Sequence, residues 1–102
     1  MSELDNLVSQ MDDAMNSIES LFVSLQDLET TLTQLRENMD VAVYRGEERF
    51  LFMQHHRMIR VLSTSMKYIT SDLRKDIDKA FDISTAIFKE VKGIDQVPDQ
   101  VG

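Results

Sequence analysis

Residues 4–42 read LDNLVSQMDDAMNSIESLFVSLQDLETTLTQLRENMDVA, and a single periodicity runs through them. Leu4, Leu7, Met11, Ala14, Ile18, Leu21, Leu25, Leu28, Leu32, Leu35, Met39 and Ala42 follow one another at alternating spacings of three and four. That is a heptad repeat held for nearly six turns of the pattern. It keeps one apolar seam on one side of a slightly underwound helix. No glycine or proline interrupts the stretch. Ser2 precedes it as a helix N-cap, and Glu3 and Asp5 suit the positive end of the helix dipole. The pattern predicts a first helix over 3–44.

The seam has a flank. Val8, Met15 and Phe22 stand one residue past every second seam position and widen the apolar stripe. The same column then reads Glu29 and Arg36, so the stripe narrows again. A narrow seam suffices for two helices, whereas a wide one suits a bundle of three or four.

Arg45-Gly46-Glu47 breaks the pattern. Gly46 is the first glycine of the chain, and glycine readily takes the left-handed conformation that ends a helix. The expected turn is 45–47, and a second helix is expected over 48–92. Its stripe reads Leu51, His55, Met58, Leu62, Met66, Ile69, Leu73, Ile77, Ala80, Ser84, Ile87 and Val91, an average step near 3.6. Phe52, Ile59, Phe81 and Phe88 flank it. Lys92-Gly93 is the expected end, and 94–102 the expected flexible tail.

The fold expectation is therefore all-α: an antiparallel two-helix hairpin of coiled-coil type, one domain over 1–93, associating into a four-helix or larger bundle. Association follows from area. One hairpin covers one stripe on each helix, and each flanking side chain left in water forfeits roughly 1.5–3 kcal/mol. The residues expected to form the association interface are Leu4, Leu7, Val8, Met11, Met15, Ile18, Leu21, Phe22, Leu25, Leu28, Phe52, Ile59, Phe81 and Phe88.

Composition narrows the function. Residues 1–44 hold nine acids and one base, 45–74 three acids and six bases, and 75–102 six acids and four bases, which gives the overall charge of −7. An acidic chain repels phosphate backbones, so nucleic acid is not an expected partner. With the turn at 45–47, Asp27, Glu29, Glu37 and Asp40 come level with the segment holding Arg49, Arg57, Arg60 and Lys67. Pairing across the two helices is expected to select their register rather than drive folding. The same basic cluster also suits an acidic partner or an anionic surface.

Chemistry-bearing constellations are sparse. The 102 residues include no cysteine, which excludes disulfides and thiolate metal sites. His55 and His56 are adjacent, hence about 100° apart on a helix, and cannot grip one ion together. The better reading of His55 is a polar layer in the seam, and such a layer would make association pH-sensitive. Asp12-Asp13, Glu47-Glu48 and Asp76-Ile77-Asp78 lack the glycine turn and ligand number of a calcium loop, and read as solvated helix faces. Seven methionines give an adaptable packing surface. No phosphate-binding glycine loop, dinucleotide fingerprint, nucleophile elbow or zinc-protease motif occurs.

No apolar run approaches the roughly 20 residues of a membrane span, and the N-terminus shows no secretory signal. The expected location is intracellular, in the cytoplasm. Residues 73–81, LRKDIDKAF, resemble over nine residues the KxDL-type segment of small coiled-coil subunits in lysosome-positioning complexes, with Arg74 and Ile77 in place of its Lys and Leu. The sequence thus points to a non-catalytic coiled-coil interaction module without cofactor or metal. It would be a structural or adaptor subunit that pairs with itself or with other helical subunits. The alternative is a regulatory binder, an inhibitor or chaperone, that holds a partner through a methionine-rich groove or an acidic face.

Overall fold

A computed structural model describes residues 2–101, with side chains described through Gly93. Among the described residues there are two helices, α1 (Glu3–Tyr44) and α2 (Glu48–Val101), and they pack against each other. Among the described residues there is no strand.

Both ends of α1 are capped by local chemistry. At the start, the Asp5 amide donates to Ser2 Oγ at 3.1 Å and the Asn6 amide to the Ser2 carbonyl at 3.2 Å. Ser2→Ala should cost about 1 kcal/mol of helix stability, read as a lower thermal midpoint. At the end, Gly46 takes a φ of 72°. The Glu47 amide donates back to the Ala42 carbonyl at 2.7 Å, and the Gly46 amide to the Val43 carbonyl at 3.1 Å. These two bonds make a Schellman closure, which satisfies carbonyls that the helix itself leaves open. The Glu47 carbonyl then accepts from the Leu51 amide at 3.0 Å and opens α2.

The helical bounds pass the expected end at Lys92-Gly93. Among the described residues the positive-φ glycine is Gly46, so Gly93 stays right-handed and the hydrogen-bond ladder runs through it. The expected tail, 94–102, lies beyond the residues whose side chains are described.

The two glycines should therefore respond to alanine with opposite signs. A Cβ would meet nothing within 4 Å at either position. Backbone conformation alone decides. Gly46→Ala forces an L-residue into the left-handed region and should destabilise by roughly 1–2 kcal/mol. Gly93→Ala removes a flexible residue from a helix and should stabilise its surroundings by up to about 1 kcal/mol. Urea unfolding of both variants, followed by circular dichroism, checks the pair.

The chain divides into two compact units, Leu21–Asp72 and Met1–Ser20 with Leu73–Gly102. In the unit that contains the turn, Leu28, Leu35 and Leu62 form the buried centre. Leu25, Met39, Met58 and Ile69 pack around it. Ala42 is buried close to the turn. Leu32 departs from the seam expectation, being 44% exposed where Leu35 is 5% exposed. Thr31 is half-buried instead, its hydroxyl donating to the Asp27 carbonyl at 3.0 Å. In the other unit Leu7, Ala14 and Ile83 are buried, and Leu4, Met11, Ile18, Leu73, Ala80 and Ile87 are half-buried. There the Ser17 hydroxyl donates across to Asp76 Oδ2, which supplies a partner for a carboxylate on the half-buried row.

The stripe on α2 differs from the one expected. Ser65, Asp76, Ile83 and Glu90 are turned inward where Met66, Ile77, Ser84 and Val91 were expected. The inward row of α2 runs Leu51, His55, Met58, Leu62, Ser65, Ile69, Leu73, Asp76, Ala80, Ile83, Ile87, Glu90. Its spacings alternate between four and three, apart from one consecutive pair of fours at Ser65–Ile69–Leu73. The physical reason is the partner helix. Apart from Leu32, the seam of α1 repeats every 3.5 residues, and a row packed along it stays close to that period. The apolar residues of α2 advance closer to 3.6, so several of them drift out of the interface.

Candidate interaction surfaces

The fourteen residues expected at an association interface fall into two groups. Leu7 and Leu28 are buried, and Leu4, Met11, Ile18, Leu21 and Leu25 are half-buried, all in packing between α1 and α2. These seven are covered, wholly or in part, within one chain. Val8, Met15, Phe22, Phe52, Ile59, Phe81 and Phe88 are exposed. The drift of α2 adds Met66, Ile77 and Val91 to the exposed set, which the averaged stripe had placed inside. The signal that could have found them is the strict heptad of α1, imposed on α2.

Geometry gathers these exposed residues by side. In an antiparallel helix pair, the column that follows the seam on one helix borders the same side of the interface as the matching column on the other. In the unit Leu21–Asp72 that side carries Phe22 and Val43 from α1, with Phe52, Ile59 and Met66 from α2. A cavity of about 140 Å³ opens there, lined by Met39 and Val43 of α1 and by Glu48, Phe52, His55, His56 and Ile59 of α2. The His56 ring stacks on Phe52, with centroids 5.8 Å apart and planes 24° apart. His55 is half-buried on the inward row and His56 is exposed, so the two point apart as expected of neighbours on a helix.

In the unit Met1–Ser20 with Leu73–Gly102, the same rule puts Val8 and Met15 beside Ile77 and Val91. The next column of α2 outward carries Phe81 and Phe88, which are 70% and 68% exposed. Ile77, Phe81, Ser84, Phe88 and Val91 are themselves spaced by four and three. They form a second, uncovered heptad row next to the covered one. The opposite side of this unit is polar, with the Ser17–Asp76 bond on it.

The expected charge pairing across the helices does not form. Among the described residues the ion pair is Arg74 Nε with Asp78 Oδ2 at 3.9 Å, along α2 and open to solvent. Asp27, Glu29, Glu37 and Asp40 are exposed on α1, and Arg49, Arg57, Arg60 and Lys67 on α2. The two sets are level with each other, but no ion pair joins them; apart from Glu29, which directly follows the seam, they stand on columns further round their helices. Arg57 and Arg60 line an open hollow of about 530 Å³ with Met53, His56, Val61, Thr64 and Ser65. The hollow is bounded by α2 alone, so it is a helix surface rather than an enclosed site.

Among the described residues, no group of three or more His, Asp or Glu side chains is placed to hold a metal ion. No helix searched among them is long and apolar enough to cross a membrane. Compared with protein-family models, curated proteins and solved structures, the chain gives no match.

Proposed function

We propose that this chain is a non-catalytic helical interaction module, a structural or adaptor subunit that lends its helix pair to a larger assembly of helices. One observation supports this reading most directly. After α1 and α2 have packed, each unit still carries a row of large apolar side chains on one side of the pair. Apolar faces of that extent, built from phenylalanine, isoleucine and methionine at helical spacing, are uncommon on chains that act alone. Their heptad spacing suits a further helix better than a small molecule.

Fluorescence of an apolar dye, measured with light scattering across a range of chain concentrations, tests the proposal. An associated chain that binds little dye supports it, because the rows are then covered. A single chain that binds dye strongly also supports it, and assigns the rows to a different helical protein. A single chain that binds no dye contradicts it, since its rows would then be neither covered nor open.

A further inference from the structure

We propose that the apolar face of the unit Met1–Ser20 with Leu73–Gly102 is covered by the same face of a second copy. The two copies are related by a two-fold axis along the helices, so that α1 of one lies on α2 of the other. The inference rests on the interaction-module reading and adds the occupant and its orientation.

Charge at the rim selects the orientation. Beyond Val8 and Met15, the next outward column of α1 carries Asp5, Asp12 and Glu19, all exposed. Beyond Ile77 and Val91, the outward columns of α2 carry Arg74, Lys92 and Asp78 beside the two phenylalanines, and Asp78 is already faced by Arg74. Two helix pairs can stack face to face in two symmetric ways. Turning the copy about an axis across the helices lays α1 on α1, and three carboxylates meet the same three carboxylates. Turning it about an axis along the helices lays α1 on α2. The Ser17–Asp76 bond fixes the level of the two helices. Glu19 then comes level with Arg74 of the second copy, which it shares with Asp78, and Asp5 falls within a helical turn of its Lys92, while Asp12 comes level with Phe81 and meets no base. Like charges in register cost affinity and opposite charges select partners, so the second arrangement is favoured.

Area fits a pair of copies. Phe81 and Phe88 leave open most of the 150–250 Å² that each such ring typically buries, a range of about that size. With Val8, Met15, Ile77 and Val91 the open apolar area comes to several hundred Å², toward the lower end of the roughly 600–1,000 Å² per partner that a stable interface covers.

The natural sequence has no cysteine, so single cysteines report contacts without background. Met15 and Ile77 are both 53% exposed, and neither supports the packed seam. Met15→Cys and Ile77→Cys variants of the full chain, mixed and oxidised, should cross-link to each other. Each oxidised alone should give little dimer. Glu19→Lys and Arg74→Glu should each weaken the dimer several-fold in sedimentation, and the two combined in one chain should restore it, with circular dichroism showing the helices intact throughout. Met15 cross-linked to Met15 sites, charge reversals without effect, or a chain that stays single would each overturn the arrangement. The dye measurement then decides separately whether the interaction-module reading survives.

Discussion

Leu35→Ala should lower stability by roughly 2–5 kcal/mol, among the largest losses that any single large-to-small change in this chain produces. Leu35 is 5% exposed and sits with Leu28 and Leu62 at the buried centre of the unit Leu21–Asp72. Truncation removes the transfer energy of its side chain and leaves a void between two helices that cannot close on it without moving apart. Leu32→Ala is the internal control. It has the same side chain, three residues away on the same seam, but lies 44% open. Its loss should stay under about 1.5 kcal/mol, because part of the side chain was never taken out of water. Urea denaturation of both variants at one protein concentration gives the comparison. Equal losses would mean that the seam of α1 is buried uniformly and that the observed register is wrong.

The second large effect concerns association rather than folding. Phe81→Glu with Phe88→Glu should leave the helices formed, because both rings are mostly exposed in the single chain. Covering a phenylalanine is worth about 1.5–3 kcal/mol, and a symmetric pair covers four of them. Burying carboxylates in their place adds a desolvation cost. Association should weaken by at least about 100-fold, with helix content unchanged by circular dichroism and dye binding by the free chain reduced. Helix loss in this variant would place the rings in the chain's own core. Unchanged association would place the covered face elsewhere.

How far the sequence reaches can be judged residue by residue. The α1 seam was legible, apart from Leu32, because twelve apolar residues in strict heptad order point to one face, and Leu7, Leu28 and Leu35 lie where it puts them. Gly46 was legible for a chemical reason, since a left-handed closure needs a residue without Cβ. The flank was legible in Val8, Met15, Phe22, Phe81 and Phe88, all apolar and all outside the seam. The inward row of α2 was not. Its apolar residues are too many and too evenly spread to pick their own side, and the choice of Ile83 over Ser84, or of Asp76 over Ile77, is made by the period of α1. The charges show the same division. Turn position alone put Asp40 level with the basic segment, but the direction in which each charge leaves its helix depends on that register, and for all of them but Glu29 it is outward.

Sedimentation equilibrium of the full chain over a wide concentration range decides whether a second copy covers the apolar face. The average mass should climb from the 11.8 kDa of one chain toward that of two, and Phe81→Glu with Phe88→Glu should abolish the climb. A mass fixed at one chain at every concentration, from a protein whose apolar rows also refuse dye, would contradict it.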